Sequence, residues 1–114
     1  MKIADVSRKT GLSAHTIRYY EKQGLVNPPA KDESGHRAFT DRDVELLNWV
    51  ACLKKSGMSL NKIKTYVAAF DEENNPLATE ILEQHLEKLK HQLVDIHHYI
   101  DVTDTKIKRL NGLT

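Results

Sequence analysis

Nine positions near the end of the chain, Leu82, Leu86, Leu89, Leu93, Ile96, Ile100, Thr103, Ile107 and Leu110, follow one another at alternating spacings of four and three residues. All but Thr103 are aliphatic. An average repeat of about 3.5 residues keeps one stripe in line along an α-helix, which is the pattern of a coiled-coil seam. A helix over residues 77–110 would be about 51 Å long at roughly 1.5 Å per residue. The chain has only 114 residues, so what remains is too small to cover such a stripe. Each Leu or Ile left in water forgoes roughly 1.5–3 kcal/mol. A helix folded back on its own domain is the rival arrangement. A partner helix answers the stripe better, and a second copy of the chain is its simplest source. The heptad alone does not say whether two such helices run parallel or antiparallel.

Ahead of this arm the sequence breaks into short helical pieces. Ile3 and Val6 share one face of a first helix that stops near Gly11, a residue suited to the left-handed conformation that ends helices. Ser13 is a good N-cap for a second helix from Ala14 to about Gln23, which Gly24 terminates. Two short helices joined by a tight glycine turn are the sequence form of a helix-turn-helix. Residues 27–35 read as a loop, and His36 to Phe39 as a short extended strand, so the segment has the makings of a wing. Thr40, helped by Asp41 and Asp43, caps a third helix carrying Val44, Leu47, Val50 and Ala51 and ending at Gly57. Ser59 caps a fourth, with Leu60, Ile63 and Val67 on one face. Residues 71–76 break the pattern. The expected organisation is a mainly α winged helix-turn-helix domain over 1–70, a linker at 71–76 and a coiled-coil dimerisation helix over 77–111.

Charge divides along the same line. Residues 1–66 hold twelve Lys/Arg against seven Asp/Glu, a net of +5, and residues 67–114 hold five against nine, a net of −4. A basic front half suits a polyanion. No apolar run approaches the ~20 residues that span a bilayer, and residues 1–5 do not resemble a secretion signal. A lone cysteine, Cys52, fits a reducing cytoplasm. The second helix concentrates the chemistry: Ile17 and Tyr20 fall inward with Leu12, while Thr16, Arg18, Tyr19 and Lys22 are free to face outward. Arginine offers a fork for guanine or phosphate, the hydroxyls reach phosphate, and lysine adds charge.

The run Ser13-Ala14-His15-Thr16-Ile17-Arg18-Tyr19-Tyr20-Glu21-Lys22-Gln23-Gly24-Leu25 resembles the recognition-helix signature of the MerR family of transcription regulators. Further stretches follow in the family's order. Ile3 to Ser7 resembles its first helix, Gly35 to Thr40 its wing, and Leu53 to Leu60 the turn between its third and fourth helices. The resemblance covers the whole chain and implies a homodimer joined by an antiparallel coiled coil, with Leu82, Leu86, Leu89, Leu93, Ile96, Ile100, Ile107 and Leu110 in the interface. It implies that Arg18 and Tyr19 contact DNA, with Thr16 a third and Lys22 adding to the surface. Arg37 takes the place of a wing arginine that reaches the backbone, and Lys54 that of a residue near the central phosphates. Phe39, where the family often has a tyrosine, is assigned to the core, and Tyr20 to packing. The implied partners are promoter DNA, a second copy and RNA polymerase. The implied mechanism is activation by bending and untwisting DNA between two widely spaced promoter elements.

The resemblance also bears on what the protein would sense. A separate drug-binding domain is not expected within these residues, and one sulfur cannot close a soft-metal site. Cys52, in the third helix, resembles the thiol of the family's single-cysteine, AdhR-like branch, which responds to aldehydes and other electrophiles. Equally, it could fill a gap beside Val50 and Leu53, as buried free cysteines do. His91, Asp95 and His98 share one side of the arm but lie opposite the seam and read as solvated. No base, acid and oxyanion donor come together, so neither an enzyme nor a cofactor is expected. Two rival functions remain at this level: an architectural DNA bender of the excisionase type, and a coiled-coil interaction module that has lost DNA binding.

Overall fold

A computed structural model describes residues 1–26 and 38–112. Its elements are α1 (Ile3–Thr10), α2 (Ala14–Lys22), α3 (Asp41–Lys55), α4 (Leu60–Asp71) and α5 (Asn75–Leu110). The chain is mainly helical, and no strand occurs among the described residues. It divides into two compact units, Met1–Ala78 and Thr79–Thr114. No described helix is long and apolar enough to cross a membrane.

In the first unit α1 packs on α2 and α3, and α3 packs on α4. The core between them is aliphatic, with Val6, Ile17, Leu25, Leu47, Val50 and Ile63 wholly buried. The inward residues foreseen for α3 and α4 are there, except that Val44 and Leu60 are only half-buried, while Leu53, Met58 and Tyr66 join them in the interior.

Each helix starts and stops for a local chemical reason. Ser13, Thr40 and Ser59 accept hydrogen bonds from the backbone N–H of Thr16, Asp43 and Lys62 at 3.1–3.2 Å, occupying donors that the first turn cannot pair. Asp43 closes a capping box by accepting from the Thr40 N–H at 2.8 Å. At the far ends, Gly24 and Gly57 take positive φ, of 77° and 101°. The next residue in each case, Leu25 or Met58, donates its N–H back to the carbonyl of Tyr20 or Leu53 and buries its side chain. These are Schellman stops with the hydrophobic contact that accompanies them.

The end of α4 has the same geometry without a glycine. Glu73 sits at φ 57°, its N–H bonded to the Phe70 carbonyl, while the Asn74 N–H reaches the Ala69 carbonyl at 2.8 Å. Asn74 then caps α5, its Oδ1 accepting from the Leu77 N–H at 3.3 Å.

Two expectations are corrected. The segment read as a linker, 71–76, is half helical: Asp71 closes α4, and Asn75 and Pro76 open α5, leaving 72–74 as the turn. Pro76 belongs to a first turn, where a missing N–H costs nothing. In the segment read as a strand, His36 and Arg37 lie outside the described residues, and Ala38 and Phe39 are not in a strand. Phe39 instead exchanges two backbone hydrogen bonds with Met1, at 2.6 and 2.7 Å, and its ring is buried as assigned.

A left-handed conformation costs an L-residue about 1–2 kcal/mol, against which glycine loses roughly 0.5–1 kcal/mol in chain entropy. Glu73→Gly is therefore expected to stabilise the protein by about 0.5–1 kcal/mol. Urea denaturation followed by circular dichroism measures this, and a loss of stability would show that the turn is not held as described.

Candidate nucleic-acid interface

The helix-turn-helix is set by three side-chain hydrogen bonds. The Thr10 hydroxyl donates to the Val6 carbonyl at 2.8 Å and accepts from the Leu12 N–H at 3.2 Å. Ser7 Oγ donates to the Leu12 carbonyl at 2.6 Å. With Gly11 left-handed at φ 72°, the turn is short and its polar groups are paired. Ser13 then launches α2 in a fixed direction.

Which side of α2 faces out follows from which side is buried. Ile17 is fully buried and Tyr20 nearly so, with Leu12 half-buried beside them. That leaves Arg18, Tyr19 and Lys22 exposed on the remaining face, as expected from their spacing. His15, four residues before Tyr19, is exposed with them. It was not among the expected contacts, although its interval to Tyr19 already carried the signal. Tyr19 leans on Tyr20 with ring centroids 6.0 Å apart, which ties an exposed ring to a buried one. At the end of α2, Lys64 Nζ on α4 donates to Gln23 Oε1 at 3.2 Å, linking the outward helix to the rest of the domain.

Thr16 is half-buried, and its Oγ1 accepts a hydrogen bond from Ser13 Oγ at 3.0 Å. In that arrangement its own hydroxyl hydrogen is left to donate, the polarity a phosphate oxygen requires. Lys54 is exposed in the last turn of α3, away in sequence from the α2 group. Arg37 lies outside the described residues.

Cys52 is exposed, so within one chain it does not fill the gap beside Val50 and Leu53. One turn earlier on α3 stands Trp49, 40% exposed, in the lining of a cleft of about 190 Å³ between α3 and α4. Leu46, Tyr66 and Phe70 line it, Tyr66 stacks on Phe70 with centroids 6.4 Å apart, and the Arg42 guanidinium lies 5.2 Å from the Phe70 ring centre. The sequence reading did not single out this cleft, although Arg42, Leu46 and Trp49 fall at helical intervals on one side of α3.

On the arm, Leu86, Leu93, Ile96, Ile100, Ile107 and Leu110 are all about half or more exposed, while Leu82 and Leu89 are half-buried. His91, Asp95 and His98 are exposed as well. Among the described residues no three His, Cys, Asp or Glu side chains are grouped to hold a metal ion.

Residues 1–69 match the family model described as MerR HTH family regulatory protein. An HTH-type transcriptional regulator of Haemophilus influenzae is 33% identical over 106 residues, covering 91% of this chain and 78% of that one. AdhR of Bacillus subtilis is 35% identical over 72 residues (63% and 51% of the two chains), and CueR of Salmonella typhi is 34% identical over 89 residues (78% and 64%). Among solved structures, a MerR family regulator from Listeria monocytogenes superposes with a TM-score of 0.89 at 31% identity, over 97% of this chain and 86% of that one. HiNmlR, a MerR family regulator lacking the sensor domain and bound to promoter DNA, gives 0.84 at 31% identity, over 97% and 90%.

Since Ser13 both starts α2 and orders Thr16, Ser13→Ala is expected to cost about 1 kcal/mol. Thermal denaturation checks this, and an unchanged midpoint would remove the cap from the account.

Proposed function

From the premise that this chain belongs to the MerR family of helix-turn-helix regulatory proteins, and is thus a DNA-binding transcription regulator, we propose how its parts divide the work. The region 1–70 is the DNA-binding head and 77–111 the dimerisation arm, so that a homodimer presents two α2 helices to promoter DNA. The observation that carries this reading is the sidedness of α2, with Ile17 and Tyr20 inside and Arg18, Tyr19 and Lys22 outside. Arg18 reads a base or clamps a phosphate through its planar fork, Tyr19 and Thr16 donate hydroxyls to the backbone, and Lys22 contributes charge. Arg37 and Lys54 are assigned the flanking and central phosphates. Regulation proceeds through RNA polymerase on a promoter that the dimer bends.

The signal we assign is a carbonyl electrophile or oxidant, received at Cys52. AdhR is similar to this chain, and so is CueR, so the comparisons alone do not choose a branch. What favours a thiol reaction is that Cys52 is exposed. An aldehyde would add there with a new S–C bond as the carbonyl π bond breaks, the thiol proton passing to the oxygen.

Two measurements test these assignments. Arg18→Ala should weaken binding to a cognate promoter fragment by about 1–3 kcal/mol at fixed salt, read by fluorescence anisotropy. Undiminished affinity would take Arg18 out of the interface. Cys52→Ser should abolish induction of a reporter by an aldehyde while leaving DNA affinity as it was, and a retained response would exclude the thiol.

A further inference from the structure

Among the described residues of the first unit, Tyr19 and Trp49 are the large ring side chains left in the open. Tyr19 belongs to the outward face of α2. Trp49 has no such role, and neither has the α3–α4 cleft that it lines with Arg42, Glu45, Leu46, Tyr66 and Phe70. We propose that this cleft binds a compact organic cation of the quaternary ammonium class, which takes the place on the Phe70 ring that the Arg42 guanidinium holds here. None of the lining residues is assigned to DNA or to the reaction of the thiol, so the site stands apart from both.

The rings supply the attraction. Tyr66 and Phe70, four residues apart on α4, have ring planes within 22° of each other and centroids 6.4 Å apart, and Trp49 lines the same cleft from α3. An aromatic face carries the negative part of the ring quadrupole and draws cations to it, indole most strongly. The protein already uses that preference, since the Arg42 guanidinium carbon lies 5.2 Å from the Phe70 centroid. A cavity of ~150 Å³ admits benzene, so about 190 Å³ has room for an ammonium head with a short substituent.

Charge selects the sign of the ligand. Glu45 lines the cleft beside Arg42, while Asp43 and Asp71 line an adjoining hollow of about 290 Å³ that shares Arg42 and Leu46 with it. Three carboxylates thus stand against one guanidinium, a balance that repels an anion and draws in a cation. A fully alkylated nitrogen suits these walls better than a primary ammonium, whose N–H donors would go unpaired against ring faces. A metal ion suits them less, because no three His, Cys, Asp or Glu side chains among the described residues are grouped to hold one. Arg42 can leave the ring without stranding its charge, since the carboxylates of the adjoining hollow lie on its other side.

The test titrates tetramethylammonium chloride into the whole chain, with sodium chloride adjusted to hold ionic strength constant. Saturation-transfer NMR reads the ligand's methyl signal. The control is tert-butanol, which has nearly the same shape and no charge. Saturable binding of the ammonium is expected, with little or none of the alcohol. Trp49→Leu keeps an apolar wall but removes the ring, and should weaken binding about two- to fivefold. Glu45→Gln should weaken it too. Arg42→Ala clears the Phe70 ring and removes a like charge, so it should tighten binding by about the same factor. All three side chains are exposed, and far-UV circular dichroism checks that each variant is folded. Benzoate, titrated in parallel, represents the opposite case of an aromatic acid paired with Arg42. The proposal is overturned by an unmodified protein that shows no saturable ammonium signal, or by equal signals from the ammonium and the alcohol. Weaker ammonium binding in Arg42→Ala, or benzoate binding that this variant abolishes, overturns it as well.

Discussion

Helices of eight and nine residues do not persist on their own in water, where fewer than about 12–15 residues is marginal even for favourable sequences. Everything that α2 can present to a ligand therefore depends on what holds α1 and α2 in place. Chief among these are the complete burial of Val6 and Ile17 and the pairing of backbone groups at the helix ends through Ser13, Thr10 and Ser7. Burial fixes how α2 is rotated about its axis, and the caps fix where it starts. The outward set of Arg18, Tyr19 and Lys22 is the complement of that arrangement.

How much of this could be read in the residues depends on the range of the physics. Caps are local, so Ser13, Thr40 and Ser59 were recognisable from one side chain and its position, as were the stops at Gly11, Gly24 and Gly57. The stop at Glu73 was not, because glutamate carries no preference for the left-handed region and is held there by the bonds of Phe70 and Ala69. The reading of 71–76 as a linker fails at its end for a related reason: Pro76 would break a helix interior but is harmless in the first turn of α5. The burial of Leu53, Met58 and Tyr66 needed the packing of α3 on α4, which spacing within one helix does not contain.

The candidate site divides in the same way. Periodicity placed the outward face of α2 correctly, yet it could not foresee that Thr16 would share its hydroxyl oxygen with Ser13, a pairing that depends on the conformation of the cap. Both the packed and the accessible reading of Cys52 were open until the rotation of α3 was known, since neighbouring residues on that helix go either way: Leu53 inside, Cys52 outside.

The chain's single tryptophan lines the α3–α4 cleft, one turn from Cys52. Indole emission shifts in colour and yield with the polarity around the ring and is quenched by nearby polarisable groups. Trp49 is thus a native optical probe of that corner. Its spectrum would register a change in α3–α4 packing or in the state of the neighbouring sulfur without any dye being attached.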